Sequence, residues 1–213
     1  MKSTLFNMVA VLFTITLIAS AGVGAVNMIT EDAIAEANRQ ATVAAVANVL
    51  PAFEKSEMST MTIDEMPINI YTAVDGSGAV VGYAVETMTM SGFSGKVRMM
   101  VGFDAEGTIL NVNVLEQSET PGLGSKMCDE GNVLLASVQG KNPANLKLKV
   151  KKDGGDIDAL TGATISSRAY ADAVARAYEA FKVASGAQES TDGVSGATAT
   201  HEGHDAQEGG DNE

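Results

Sequence analysis

The stretch Lys96–Glu116, KVRMMVGFDAEGTILNVNVLE, places two runs rich in Val, Ile and Leu on either side of Asp104-Ala105-Glu106-Gly107. β-Branched residues favour extended backbone, and an Asp followed by a Gly three places on is turn chemistry. The stretch therefore reads as two antiparallel strands joined by a tight turn. Upstream, INIYTAV (Ile68–Val74), DGSG (75–78) and AVVGYAVETM (Ala79–Met88) repeat the pattern. An antiparallel meander of about four strands is expected between Ile68 and Ser118. Met88, Met90, Met99 and Met100 are read as core or sheet-face filler, the ordinary use of methionine.

Further upstream, Leu5–Val26 contains no charged residue. At about 1.5 Å per residue this run spans roughly 30 Å, the thickness of a bilayer core, and reads as a transmembrane helix. A cleaved signal peptide is the alternative, with Lys2 as its positive start and ASA or VGA as small-residue sites. Signal h-regions run to about 7–15 residues, so the longer stretch favours an uncleaved anchor. Lys2 precedes the span and Glu31 and Asp32 follow it, so the positive-inside rule leaves the N-terminus in the cytoplasm and the rest outside. Next comes TEDAIAEANRQATVAAVANVL, with Thr30 as an N-cap and Ile34, Ala37, Ala41, Ala45 and Val49 at helical spacing. Pro51 marks its end, and the segment reads as a spacer helix.

Downstream of the meander, SETPGLGSKM is irregular and a short helix is expected around Asn132–Val138. LKLKVKK alternates as a strand does, with Leu146, Leu148 and Val150 on one face and Lys147, Lys149 and Lys151 on the other. DGG then turns the chain. SSRAYADAVARAYEAFKVA places Tyr170, Val174, Ala177, Tyr178 and Phe181 on one stripe of an amphipathic helix that Gly186 would end. The last 25 residues hold seven acids and no Lys or Arg, a composition expected to be disordered. The formal net charge is −13, which argues against nucleic acid as a partner, since phosphate binding needs a basic surface. Cys128 is the only cysteine, so it has no internal disulfide partner and no second thiol for a metal or haem motif. His201 and His204, in HEGH, lack the spacing of a helical zinc site. No metal site and no catalytic residue are expected.

The chemistry concentrates in a repeated word. Asp156–Ser167 reads DIDALTGATISS, and Asp192–Thr198 reads DGVSGAT; both fit D-x-x-[ST]-G-A-T. Thr164 stands at the junction of loop and helix, where a Thr is an ordinary N-cap. A helix start also offers unpaired N–H groups and partial positive charge, which suit a phosphate. Gly162 and Ala163 remove bulk beside the Thr164 hydroxyl. The residues alone support either a cap or an anion site.

D-x-x-[ST]-G-A-T resembles the target motif of flavin transferases of the ApbE type, which attach FMN through its phosphate to the last Thr. On this chain that residue is Thr164, with Asp158, Thr161, Gly162 and Ala163 as the recognition frame and Ser166 and Ser167 following it. The chain from Ser3 to Phe181, above all ETPGLG followed by TGATISS, is similar to the RnfG family. These are the flavin-carrying subunits of Rnf ion-translocating ferredoxin:NAD oxidoreductase complexes. NqrC subunits of sodium-pumping NADH:quinone reductases share the domain and rank second.

The resemblance implies an α+β protein: one transmembrane helix, then an extracytoplasmic FMN-binding domain with an antiparallel sheet and flanking helices, then a disordered acidic tail. Together with the composition, it gives expected boundaries at 1–4 (cytoplasmic), 5–26 (membrane), 27–67 (connecting helix and linker), 68–186 (FMN-binding domain) and 187–213 (tail). Glu119, Thr120, Pro121, Gly122, Leu123 and Gly124 would lie by the flavin, the glycines allowing close backbone approach and Glu119 and Thr120 bonding its polar atoms. Partners would be the other Rnf subunits in the membrane and the transferase during maturation. Covalent attachment would keep a cofactor from dilution outside the cytoplasm. DGVSGAT also fits the transferase frame but departs from the family pattern, so Thr198 is read either as a second attachment point for FMN or as part of a decayed repeat. A stand-alone extracytoplasmic reductase and an exported structural domain whose TGAT merely caps a helix are the rival readings.

Overall fold

A computed structural model describes residues 5–186. The readings placed on 1–4 and on 187–213, including Thr198, His201 and His204, lie outside the described residues. The first element, α1, runs unbroken over Leu5–Val49. An 18-residue stretch of it has mean hydropathy 2.2 and none of that stretch is buried, so by length and composition it can cross a membrane. The separate helix expected to begin at Thr30 is part of α1. The Thr30 hydroxyl donates back to the carbonyls of Val26 (2.9 Å) and Asn27 (3.3 Å), as a Thr inside a helix does, and caps nothing. Thr14 and Thr16 satisfy their hydroxyls in the same way, on Ala10 and Leu12, which suits them to hydrocarbon.

Five strands follow: β1 (Lys55–Ile63), β2 (Met66–Val74), β3 (Val80–Gly92), β4 (Gly95–Phe103) and β5 (Ile109–Glu116). They pair antiparallel in chain order. Four match the expected meander, and β1 adds a fifth in the stretch read as linker. It is an edge strand, polar and largely exposed, so it lacks the apolar alternation that announces the others. Its turn into β2 is also unmarked. Asp64 and Glu65 sit at φ 49° and 63°, where Asn-Gly or Asp-Gly is the usual pair. An ion pair from Arg176 to Asp64, 2.6 Å, ties that turn to the last helix. The other turns use the expected chemistry. Asp75 Oδ1 accepts from Ser77 N and Ala79 N, and Asp104 Oδ1 from Glu106 N and Thr108 N.

After β5 come a 3-10 turn at Gly124–Cys128, the short helix α2 (Val133–Val138) capped by Asn132, and α3 (Thr164–Ala184). LKLKVKK is not a strand. A 3-10 turn at Pro143–Asn145 precedes it, a second at Lys151–Asp153 takes in its last two residues, and within it only Val150 forms a bridge, to Ile157. Its apolar alternation serves packing beside α3, where Leu148 meets the core, rather than a ladder.

The sheet is covered on both faces. On one, Ile70, Val85, Met99, Val101 and Phe103 pack against Tyr170, Val174, Ala177 and Phe181 of α3. Phe103 stacks on Phe181 with centroids 5.0 Å apart, and Tyr83 meets the same ring edge-on at 5.3 Å. On the other, the last turns of α1 bury Ala45, Val46 and Val49, with Leu50 just beyond, against Ala73, Ala84 and Met100. The spacer is therefore docked at its end. Of the four methionines read as filler, Met99 and Met100 are core on opposite faces, whereas Met90 is exposed.

The seat of α1 depends on Gly102, where an added Cβ would fall within contact distance of the Val49 backbone. Gly102→Ala should cost about 1–3 kcal/mol, the usual range for overpacking. Thermal unfolding of the detergent-solubilised chain checks this; an unchanged midpoint would mean that α1 does not rest there.

Candidate functional site

Three segments converge at the N-terminal end of α3: the β3–β4 hairpin tip, the loop 119–124 and the TGAT loop. They enclose a pocket of about 390 Å³ lined by Phe93, Thr120, Leu123, Gly124, Lys152 and residues 162–166. That volume lies within the range of small-molecule sites, about 300–1,000 Å³.

The segments are held by one buried carboxylate. Glu119, 4% exposed, accepts from Ser94 N (3.1 Å) and from the Ser166 hydroxyl through a short bond. It thus links the hairpin tip, its own loop and the first turn of α3. Small residues are needed around it. A Cβ on Gly92 would meet Glu119 Oε1 at 2.6 Å, and one on Gly124 would meet Glu119 Oε2 at 2.8 Å. The expected freedom of Gly124 to approach a ligand is thereby spent on internal packing, and the Glu119 oxygens are engaged inside the fold. Gly122, at φ 75°, is the glycine of this loop that turns the backbone in open space.

On the opposite wall Thr164 is the first residue of α3, and the cap is Ala163, which has no side-chain acceptor to offer. The expected N-cap role of Thr164 is thus displaced by one residue. Ser167 does the fastening instead: its hydroxyl accepts from Leu160 N and donates to Ala163 O, both at 2.9 Å. The first loop-closing backbone bond is Ser167 N to Ala163 O at 3.0 Å. The amides of Thr164, Ile165 and Ser166 precede it in the first turn, where N–H groups have no intrahelical acceptor. Gly162 stands at φ 74°, which lets the chain reverse before the half-buried Thr164.

Of the expected site residues, Thr120, Leu123, Gly124, Gly162, Ala163, Thr164 and Ser166 line the pocket. Glu119 and Ser167 brace it from behind. Asp158 lies outside it, paired with Lys151 at 2.7 Å, and that hydrogen bond holds its carboxyl below the usual range. Thr161 is exposed, and Pro121 and Gly122 are on the loop's outer side.

Sequence reasoning missed Phe93, Ile165 and Lys152. Phe93 is 64% exposed at a hairpin tip, an unusual place for a lone aromatic. Lys152 is among the pocket-lining residues and forms no ion pair among the described residues. The signal for Phe93 was available in the turn Gly92-Phe93-Ser94-Gly95. Lys152 was hidden in a lysine run.

The donor set fits a flat aromatic ligand carrying a phosphate. An exposed ring and Leu123 offer apolar surface, while a helix start and a lysine offer positive charge to the phosphate. The pocket lining contains no carboxylate to repel it. Among the described residues no cluster able to hold a metal ion occurs.

Residues 92–179 match the FMN-binding domain family. Over 173 residues the chain is 35% identical to the G subunit of the ion-translocating oxidoreductase complex of Shewanella amazonensis, covering 75% of this chain and 80% of that one. It is 29% identical over 189 residues to the G subunit of the Na+-translocating ferredoxin:NAD+ oxidoreductase complex of Acetobacterium woodii, covering 83% and 91%. It is also similar to the crystal structure of Shewanella oneidensis NqrC, with a TM-score of 0.39 and 23% identity over 62% of this chain and 65% of that one.

The clasp makes a separable prediction. Ser166→Ala deprives a buried carboxylate of a donor and should cost about 1–3 kcal/mol, whereas Thr161→Ala, at an exposed site, should leave stability unchanged. Parallel thermal melts decide this; equal midpoints would show that Glu119 does not organise the site.

Proposed function

This chain belongs to the family of G subunits of ion-translocating oxidoreductase complexes, and we propose that it carries electrons there on an FMN joined through its phosphate to Thr164. The complex would be a membrane-bound ferredoxin:NAD oxidoreductase of the Rnf type, with its other subunits as partners. The observation that carries the reading is the position of Thr164. Its side chain lines the pocket at the start of α3, beside Lys152 and small neighbours.

Attachment by a flavin transferase of the ApbE type balances as follows. The Thr164 Oγ–H bond is replaced by an Oγ–P bond, and the phosphoanhydride of a flavin dinucleotide donor breaks. The nucleoside monophosphate leaves, and the hydroxyl proton passes to a base of the transferase. The recognition frame suits a visiting enzyme, because Asp158, Thr161 and Gly162 are not buried.

When bound, an isoalloxazine supplies both one- and two-electron chemistry. The chain's own residues do the rest. Lys152 and the first-turn amides of α3 would hold the phosphate, and Phe93 and Leu123 would cover the ring plane. Glu119 fixes the loops around them. Lys2 before the span and Glu31 and Asp32 after it support a domain on the extracytoplasmic side of the bacterial inner membrane.

Intact mass of the full chain, produced in an exporting host with a flavin transferase, tests the attachment. One addition equal to FMN less water, lost in Thr164→Ala and kept in Thr198→Ala, is the expected result for Thr164. An addition kept in Thr164→Ala and lost in Thr198→Ala would move the site to the tail. No addition beside a flavinylated control protein would refute covalent flavin.

A further inference from the structure

One flank of α3 carries a groove with no part in the flavin site. Segment 143–154 lies alongside the helix, and two contiguous depressions between them share Leu148, Lys149, Asp153 and Ala175. At the C-terminal end the groove reaches Tyr178 and Glu179, and Lys147 stands over it. At the other it reaches Arg168, one turn from the Thr164 pocket that Lys152 lines.

The lining carries the cations Lys147, Lys149 and Arg168 and the carboxylates Asp153, Asp172 and Glu179, and the ion pairing among them is uneven. Its carboxylates are engaged: Asp153 by Arg168 at 2.7 Å, Asp172 by Arg176 at 3.1 Å and Glu179 by Lys182 at 2.7 Å. Lys147, Lys149 and Lys152 have no carboxylate within ion-pair distance among the described residues. Three unpaired cations therefore follow α3 from its end to its start, in a chain of net charge −13.

We propose that the acidic C-terminal segment, residues 187–213, docks back along this groove, with its first carboxylates on Lys147 and Lys149. Charge is complementary, since that segment holds seven acids and no Lys or Arg. Reach is also sufficient. The segment leaves α3 at Gly186, about two turns beyond Tyr178. Glu189 and Asp192, three and six residues on, can extend about 10 and 20 Å from there. Thr198 lies twelve residues on, a span of up to about 40 Å, against about 31 Å for the whole of α3. That reach would allow the second D-x-x-S-G-A-T to approach the end of the helix that holds the first. None of this depends on the flavin assignment.

Zero-length carbodiimide coupling of the full chain in detergent, read by peptide mass spectrometry, tests the docking. Glu189 or Asp192 should join Lys147 or Lys149 in preference to Lys55, Lys96, Lys126 and Lys182. The yield should not depend on protein concentration and should fall several-fold at molar salt, where screening is short-ranged. Hydrogen exchange supplies a second readout. Residues 146–150 should exchange more slowly in the full chain than in a chain stopped after Gly186. The full chain carrying Lys147→Glu and Lys149→Glu should behave like the stopped one. Coupling without preference, or exchange indifferent to removal of the segment, overturns the proposal. Coupling that rises with protein concentration assigns the groove to another copy's tail and overturns it as well.

Discussion

The site exists because a single buried carboxylate cannot be left without donors. Glu119 is taken out of water, and its oxygens must be met by hydrogen bonds. The donors are Ser94 on the β3–β4 hairpin and Ser166 on α3, elements far apart in sequence. Satisfying one carboxyl group therefore fixes the relative positions of three loops. Gly92 and Gly124 complete the arrangement by leaving room for the carboxylate between them. The pocket walls are thus set from behind, which frees Thr164, Lys152 and Phe93 to face outward.

Electrostatics divides the molecule unevenly. The chain as a whole is strongly acidic, yet Lys147, Lys149, Lys151, Lys152 and Arg168 gather around the N-terminal half of α3 and its flank. The helix start adds its own partial positive charge. Arg168 and Lys151 are committed to Asp153 and Asp158, so local cation excess rests on the other lysines. An anion approaching this corner meets lysines that hold no carboxylate partner among the described residues.

Much of this was legible in the sequence. Strands with β-branched residues and Asp-x-x-Gly turns announced β2 to β5, and the stripe Tyr170, Val174, Ala177, Phe181 announced α3. What failed to show has physical reasons. An edge strand need not alternate, so β1 carried no apolar signal, and its turn uses Asp64 and Glu65 where a glycine is usual. LKLKVKK alternated because one side faces α3, and alternation alone does not supply a strand partner. Within the site, TGAT and ETPGLG were read as a pair, but the division of labour between them was not. Glu119, Ser166 and Ser167 were expected by the ligand, while their hydrogen bonds run within the protein. Such inward use leaves no trace in composition or spacing. Lys152 and Phe93 became visible only when the fold brought 93, 152 and 164 to one place.

The absence of a break in α1 has a consequence for any assembly around it. From Asn27 to the point where Ala45 seats on the sheet, the chain is one helical rod. Each residue in that rod sets a height of about 1.5 Å and an azimuth of about 100°. Length and bearing cannot be tuned apart: one inserted residue would scarcely lift the domain but would swing the pocket through more than a quarter of a circle about the rod. The number of residues between bilayer and sheet therefore encodes a direction, the one in which Phe93 and Thr164 look out from the membrane normal.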